Sequence, residues 1–431
     1  MRDDPISPVD DRYYAEAKEL ASFFSERALV EERIRVEIDF LWFLVSVGVA
    51  PNVKIPRIAP SYEEVKRIES SLGHDVKAVE LYIRRKIQRT KSAKLAPFVH
   101  LGLTSEDVNS LAHGRLVARA LQKVILPHYE GLARRLADIA GREAETVMLA
   151  RTHGRPAIPT TFGKEVANFA IRLAERTGKL TSMRPTGKVA GAVGTYASFG
   201  LLKQSLDWPK SLSRFVASMG LEFTEYNTQV PPYERYSDIF HAMIDVNLIM
   251  VNLVRDLWMY QAFDYLQFAR PGKVSSSTMP QKVNPVDLEN AEGQADISNS
   301  LLMLLAYKPE VTRLQRDLSD SPVRRTVGQA FAHSLVASKR ILTSIDAMIV
   351  RRDKMKADLH RHREVYAEAV QLLLRNAGDV KGYEKVRKAI ENGKFSVPKV
   401  FLRRVGQYLG LAPDLAKKCK REVNRLLIAD S

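Results

Sequence analysis

The chain has almost no cysteine and no long uncharged segment. Cys419 is the one cysteine among 431 residues, so the chain cannot form an internal disulfide or a thiolate metal cluster, and a reducing, cytoplasmic setting fits best. The uncharged runs 40–51 and 189–202 are too short to span a bilayer. The acidic, polar start MRDDPISPVDDRYY is not typical of a signal peptide. We therefore expect a protein that works away from membranes.

The common fingerprints of cofactor binding are also missing. The sequence contains no Walker loop, no Rossmann glycine pattern and no Cys/His cluster with metal-ligand spacing. We predict an activity that needs neither a metal nor a nucleotide cofactor.

Positive charge, in contrast, is abundant and unevenly placed. The net charge is +16, and residues 350–431 hold 20 Lys/Arg against 10 Asp/Glu. A basic surface of this kind binds nucleic acid or surrounds a site for small polyanions. Because no nucleic-acid-binding motif is present, we favour small anionic molecules as partners over nucleic acid.

Three long stretches, residues 13–47, 233–270 and 329–377, contain neither glycine nor proline. None shows the alternation of polar and apolar residues that is typical of a strand. We therefore predict long helices there, with a break inside the last one.

The middle stretch carries apolar residues around nearly its whole circumference. These residues are Ile239, Phe240, Met243, Ile244, Leu248, Ile249, Val251, Val254, Leu257 and Trp258. A helix that is apolar on all sides is buried, and one this long needs more neighbours than one domain supplies. We interpret the chain as an all-α protein whose central bundle of long helices forms the core of an oligomer. The predicted domains are 1–95 (helical), 96–349 (bundle) and 350–431 (basic, helical).

A polar loop at residues 271–293, PGKVSSSTMPQKVNPVDLENAEG, combines three serines with Lys282 and Asn284. An ordinary connecting loop has a similar composition, but small residues also let backbone amides bind an anion beside the lysine. The central part, SSTMPQKVNP, resembles the signature loop of the fumarase/aspartase superfamily, Gly-Ser-Ser-x-Met-Pro-x-Lys-x-Asn-Pro, with Ser275 where that family has Gly. The resemblance implies that Ser276 is the general base and that Lys282 and Asn284 bind the substrate.

A histidine motif occupies residues 151–161, RTHGRPAIPTT. A histidine in a rigid loop suits proton transfer, although a lone histidine is more often structural. The run resembles the Arg-Thr-His-Gly-Gln-Pro-Ala-x-Pro-Thr-Thr motif of the adenylosuccinate lyase family, with Arg155 in place of Gln. The resemblance implies that His153 is the general acid and that Glu289 is the carboxylate that keeps it protonated.

The run HLGLTSED, residues 100–107, has the polar residues of a helix start. Thr104 or Ser105 could simply cap that helix, but hydroxyls and amides at such a position are also good carboxylate ligands. The run is similar to the His-x-x-x-Thr-Ser-x-Asp motif of the same family. That resemblance implies that Thr104 and Ser105 hold the departing fumarate and that His100 lies close to the nucleotide.

Smaller matches follow the same family in the same order along the chain. Each of them alone could also be an ordinary group of polar side chains exposed to solvent. The residues that the resemblance assigns to substrate binding are Arg12 and Tyr13 near the N-terminus, His74 and Asp75, Gln229, and the clamp of Arg316, Ser321 and Arg325.

Taken together, the motifs identify the chain as a member of the fumarase/aspartase superfamily that is similar to adenylosuccinate lyases. The resemblance implies a homotetramer with shared active sites and elimination of fumarate from the purine nucleotides adenylosuccinate and SAICAR, giving AMP and AICAR. Another superfamily lyase, such as argininosuccinate lyase, would give no reason for the phosphate clamp. A non-catalytic or RNA-binding scaffold would not need Ser276, His153 and Glu289 together.

Overall fold

A computed structural model of the chain describes residues 5–268, 278–279, 281–401 and 408–428. The chain forms two compact units, each built from three separate segments. The first unit contains Met1–Pro127, Lys179–Asn247 and Gln294–Val336, and the second contains His128–Gly178, Leu248–Gly293 and Ala337–Ser431. The division into three consecutive domains stays a prediction.

Helices dominate both units. In chain order they are α1 (Tyr14–Ala17), α2 (Ala21–Phe24), α3 (Glu26–Ser46), α4 (Tyr62–Leu72), α5 (Asp75–Gln88), α6 (Ser105–Ala120), α7 (Leu126–Arg142), α8 (Phe162–Ser182), α9 (Ala197–Leu202), α10 (Trp208–Ser218), α11 (Glu234–Ala262), α12 (Val286–Tyr307), α13 (Ser321–Arg324), α14 (Val327–Asp346), α15 (Arg352–Arg361), α16 (Ala367–Asn376), α17 (Gly382–Glu391) and α18 (Ala412–Ile428). Short 3-10 turns and a π-helical turn at Leu121–Ile125 connect some of them. The predicted helical class is confirmed.

Three small two-stranded sheets accompany the helices in the described part of the chain. Strands β1 (Val147–Thr152) and β2 (Arg155–Thr161) form an antiparallel hairpin, β3 (Thr186–Gly187) and β4 (Glu222–Phe223) a parallel pair, and β5 (Leu266–Phe268) and β6 (Met348–Val350) an antiparallel pair. The other four strands, of two or three residues each, are too short to be predicted from a pattern, and the β1–β2 hairpin was expected as a loop.

The predicted long helices are interrupted where local backbone signals override the apolar pattern. In residues 13–47 the helix is interrupted at Ser25, which has an extended backbone. Its hydroxyl caps α3 by accepting a hydrogen bond from the backbone amide of Ala28 at 3.1 Å. The middle stretch ends as a helix at Ala262, because Asp264 adopts a left-handed φ of 60° and the chain then enters β5. The expected break in the last stretch is confirmed, and it contains strand β6.

One helix among the described residues, Glu234–Ala262, is long and apolar enough to cross a membrane by length and composition. A buried core helix passes the same test, and 67% of its most apolar window is buried within the protein.

In the first unit, α3, α5 and α6 pack around a buried apolar core. The core includes Ile34, Val36, Val79, Ile83, Val108 and Leu111, each at most 1% exposed. Burial of one such side chain stabilises the fold by about 1.5–3 kcal/mol. This packing fixes the starts of α5 and α6, which both face the cavity described next.

Candidate active site

The first unit contains a cavity of about 610 Å³ with a strongly polar lining. This volume is in the usual range for small-molecule sites. The cavity brings together eight residues that the sequence assigned to substrate binding: His74, Asp75, Thr104, Ser105, Gln229, Arg316, Ser321 and Arg325. Residues separated by up to about 250 positions in the sequence therefore meet in one place.

The start of α6 forms one wall of the cavity and is held rigidly. The backbone amide of Thr104 donates to the carboxylate of Asp107 at 2.8 Å, as in a capping box. Asp107 is fully buried, accepts from the amides of Ala190 and Gly191, and pairs with the equally buried Lys188 at 2.6 Å. The helix N-terminus at Ser105 is therefore a pre-formed site for an anionic group.

The start of α5 forms a second polar wall. His74 caps the helix, its Nδ1 accepting from the amide of Lys77 at 3.4 Å, and Asp75 pairs with Arg33 at 2.8 Å. Burial alone would raise the pKa of Asp75, but the charge of Arg33 lowers it below its ordinary value. Arg33 also donates to Asn109 at 2.9 Å, which ties α3 to α6. Asp75 is thus an ionised residue that contacts a buried guanidinium.

The predicted clamp supplies further cations. Arg316 is only 13% exposed at its side chain, whereas Arg325 is half exposed and pairs with Glu26 at 3.4 Å. Both the backbone and the side chain of Gln229 are held by hydrogen bonds. Its backbone N–H donates to the carbonyl of Gln315, and its side-chain amide donates to the carbonyl of Ala192. The cavity therefore offers guanidinium groups and an oriented amide to an anionic ligand.

Three predicted substrate contacts in the first unit are not among the residues that line this cavity. His100 has a left-handed φ of 61°, and its Nδ1 lies 2.5 Å from the carboxylate of the fully buried Glu37. Arg12 is exposed and lies over the ring of Tyr13, with 6.0 Å between its guanidinium carbon and the ring centroid. Their assignment to substrate binding stays a prediction.

The general acid assigned from the sequence lies in the second unit, at the tip of the β1–β2 hairpin. His153 and Gly154 form the two-residue turn, with φ values of 54° and 72°, and His153 is exposed. The side chain of Arg151 in β1 pairs at 2.7 Å with Asp358 of α15, which also accepts from Tyr265 at 2.5 Å. The ion pair between Arg151 and Asp358 therefore ties the hairpin that carries His153 to α15.

The signature loop is described in part. Ser276 lies outside the described residues, whereas Lys282 is exposed and its amide donates to the carbonyl of Met279 at 3.0 Å. The carboxylate of Glu289 accepts from the indole of Trp258 at 3.2 Å, and within the described residues no hydrogen bond joins it to His153. Asn284 is half-buried. The catalytic roles of this group stay predictions.

Several residues that line the cavity could not be assigned from the sequence motifs. They are Arg33, Glu69, Glu106, Asn109, His113 and Arg324. Asn109 and His113 follow Ser105 at intervals of four, so helical periodicity from the Thr-Ser motif could have found both. Burial and the nearby arginines lower the pKa of His113 well below its ordinary value, so this side chain is neutral. The sequence gives no comparable signal for Arg33.

Comparison with known proteins shows which family the chain resembles. The lyase family pattern matches residues 60–296, and the pattern of the adenylosuccinate lyase C-terminal region matches residues 312–424. Adenylosuccinate lyase from Legionella pneumophila (strain Corby) is 36% identical over 404 residues, covering 89% of this chain and 88% of that protein. The enzyme of the same name from Escherichia coli (strain K12) is 36% identical over 405 residues, covering 90% and 89%.

Solved structures show the same fold at lower identity. The 3-carboxy-cis,cis-muconate lactonizing enzyme from Pseudomonas putida has a TM-score of 0.75 at 20% identity, covering 97% of this chain and all of that one. A fumarate lyase from Mesorhizobium sp. BNC1 has a TM-score of 0.70 at 18% identity, covering 95% and 97%. With the matched motifs, the cavity and the sequence identity in agreement, the chain belongs to the adenylosuccinate lyase family of the fumarase/aspartase superfamily.

Proposed function

We propose that this protein is a carbon–nitrogen lyase that eliminates fumarate from adenylosuccinate, giving AMP, and from SAICAR, giving AICAR. The observation that carries the proposal is the cavity of the first unit. It combines the Thr104–Ser105 helix start, suited to a carboxylate, with the guanidinium groups of Arg316 and Arg325, suited to a phosphate. A substrate with a succinyl group and a phosphate needs both kinds of contact.

The proposed chemistry is an anti elimination that breaks a carbon–nitrogen bond. Ser276 removes the proton from the carbon next to a carboxylate, and the carbanion charge spreads into that carboxylate. Lys282 and Asn284 stabilise this charge, while His153, kept protonated by Glu289, gives a proton to the leaving nitrogen. A serine hydroxyl is a weak base, so the pKa of Ser276 has to be lowered in the complex with the substrate, from which water is excluded. No metal or other cofactor takes part.

A shared active site in a homotetramer forms part of the proposal. Two long helices leave large apolar side chains exposed in the single chain, and this supports burial by other subunits. On α11 these are Leu248, Trp258 and Met259, and on α12 they are Ile297, Met303 and Tyr307, between 42% and 55% exposed. The proposed location is the cytoplasm.

An assay with two substrates tests the activity. We expect the purified protein to release fumarate from adenylosuccinate but not from argininosuccinate, because the latter carries no phosphate for the clamp. Fumarate is followed by its ultraviolet absorbance, and AMP by chromatography. Activity on argininosuccinate alone would assign the chain to another superfamily lyase. Loss of activity after chelation, restored by added metal, would refute the cofactor-free reaction.

Two substitutions separate chemistry from binding. Ser276→Ala should abolish turnover while substrate affinity changes little, because the base acts in the chemical step. Arg316→Ala should instead raise KM by about tenfold or more, as expected for the loss of one charged hydrogen-bonding contact. Steady-state kinetics and equilibrium binding of adenylosuccinate measure both. Near-normal turnover of the Ser276 variant would move the base to Ser275 or Ser277.

A further inference from the structure

Four charged side chains at the cavity close a ring of alternating charge. Arg316 lies 3.4 Å from Asp320, Asp320 lies 2.8 Å from Nε of Arg324, Arg324 lies 2.9 Å from Glu106, and Glu106 lies 3.3 Å from Arg316. Their side chains are between 3% and 13% exposed. Burial of four charges is costly unless each of them is paired, so the ring has to stay complete.

The ring joins the two parts of the cavity that bind anions. Arg316, Asp320 and Arg324 follow one another at intervals of four, and the amide of Arg324 donates to the carbonyl of Asp320 at 2.9 Å. Glu106 instead belongs to the first turn of α6. The hydroxyl of Tyr233 accepts from Arg324 at 2.9 Å and lies 3.3 Å from Glu106. The clamp segment is thereby fixed against the helix start that begins at Ser105.

Charge balance gives Arg324 a specific part in this arrangement. Burial alone would raise the pKa of Glu106, but the charges of Arg324 and Arg316 lower it below its ordinary value, so it remains a carboxylate. With both arginines present the ring is neutral. Without Arg324, Glu106 and Asp320 would both depend on Arg316 and would leave one uncompensated negative charge beside an anion-binding cavity.

We propose that Arg324 is a positioning residue for substrate binding. By sharing the carboxylates of Glu106 and Asp320 with Arg316 it keeps the ring neutral, so that no uncompensated negative charge repels the anionic substrate, and it holds the clamp against the start of α6. This inference rests on the proposed function for the identity of the substrate. The competing interpretation is that Arg324, which also lines the cavity, contacts the substrate directly.

Substitution of Arg324 should change affinity more than turnover. We expect Arg324→Gln to raise the KM for adenylosuccinate by about tenfold or more and to change kcat by less than about threefold, because the lost pairing affects ground-state binding. Arg324→Lys keeps the charge and should show a smaller increase in KM. Thermal unfolding of each variant identifies any that fails to fold. An unchanged KM in a folded Arg324→Gln protein would overturn the proposal.

A second substitution separates positioning from direct contact. In the Arg324→Gln protein, Glu106→Gln removes the uncompensated carboxylate, so that Arg316 and Asp320 balance each other. We therefore expect the double variant to bind substrate more tightly than Arg324→Gln alone, by about threefold or more, and by more than Glu106→Gln tightens binding when Arg324 is present. If Arg324 only contacted the substrate directly, Glu106→Gln would have the same effect in both backgrounds. A double variant that binds as weakly as Arg324→Gln would favour the direct contact and overturn the positioning role.

Binding of inorganic phosphate tests the inference without any reaction. Calorimetry on the full-length protein should show affinity for phosphate that falls by about tenfold in Arg324→Gln and less in Arg324→Lys. If the wild type binds phosphate with this pattern, and Glu106→Gln strengthens phosphate binding more in the Arg324→Gln protein than in the wild type, but no fumarate is released, the proposed function fails and the inference stands. If the protein releases fumarate and both variants bind phosphate as the wild type does, the inference fails alone.

Discussion

The pair of His100 with Glu37 adds a pH-dependent contribution to the stability of the first unit. Burial alone would lower the pKa of His100, but the hydrogen bond to Glu37 and its charge raise the pKa above its ordinary value. A histidine whose pKa is higher in the folded than in the unfolded chain stabilises fully below the unfolded pKa. That contribution is lost as the pH rises through the folded pKa.

We predict that His100→Gln lowers the free energy of unfolding more at about pH 6 than at about pH 9, because the charged pair exists only on the acid side. Chemical denaturation at the two pH values measures the difference. His241→Gln is the matched control, since His241 is exposed and its ring contacts Ser237. An equal loss at both pH values in the His100 variant would remove this pair as the source of the pH dependence.

Individual residues also show which parts of the candidate site could be predicted from the sequence. Ser105, Gln229 and Arg316 belong to motifs, so their types and spacing were sufficient to find them. Arg324 and Glu106 were missed because their importance comes from a contact between residues 218 positions apart. A motif records neighbours in the sequence, whereas a buried ion pair depends on how distant elements pack.

At the scale of elements, the long helices were predicted in the right places but with incorrect ends. The absence of glycine and proline indicated helix throughout residues 13–47, yet a serine cap starts a new helix after Ser25. The β1–β2 hairpin was expected as a rigid loop, because its turn sequence His153–Gly154 carries no strong sign of flanking strands. Caps and tight turns depend on single backbone conformations, which an apolar pattern does not specify.

Two glycines of the first unit allow backbone strain to be separated from steric conflict. Gly194 and Gly220 both have left-handed φ values, of 79° and 75°. A Cβ added to Gly194 would lie 2.2 Å from the backbone oxygen of Asn227, whereas one added to Gly220 would meet nothing within 4 Å. Asn227 lies two residues before Gln229, so a displaced backbone at this point would reach the cavity.

We predict that Gly220→Ala costs about 1 kcal/mol of unfolding free energy from φ strain alone, and that Gly194→Ala costs clearly more. Gly194→Ala should also raise KM, because it shifts the segment that carries Gln229, while Gly220→Ala should leave KM unchanged. Urea denaturation and steady-state kinetics on both variants give the comparison. Equal losses of stability in the two variants would show that the backbone around Asn227 can move away from the added Cβ without lowering the free energy of unfolding.

At the scale of the whole molecule, the cavity residues and the proposed general acid belong to different units of the chain. The cavity lies in the first unit, and His153 is presented on an exposed hairpin of the second. The helical class and the family could be predicted from the sequence, because both rest on periodicity and motifs. The sequence cannot predict whether the residues of one site come from one chain or from several copies, because identical chains carry identical motifs.

Subunit exchange between two inactive variants decides that question. We predict that His153→Ala and Ser276→Ala proteins are each inactive alone but recover part of the activity when mixed under conditions that permit exchange. In a tetramer with shared sites, some mixed sites take an intact His153 from one chain and an intact Ser276 from another. Random mixing then restores up to about a quarter of the sites, because each of the two positions is intact in half of the chains.

The control for this experiment is independent proof that the subunits exchange. Two distinguishable affinity tags, one on each variant, allow mixed tetramers to be isolated and assayed directly. Activity in the mixed fraction, absent from each parent, requires that His153 and Ser276 of one site come from different chains. If mixed tetramers form and stay as inactive as their parents, each chain supplies both residues to its own site, and the exposed apolar faces of α11 and α12 then serve assembly without sharing of these two catalytic groups.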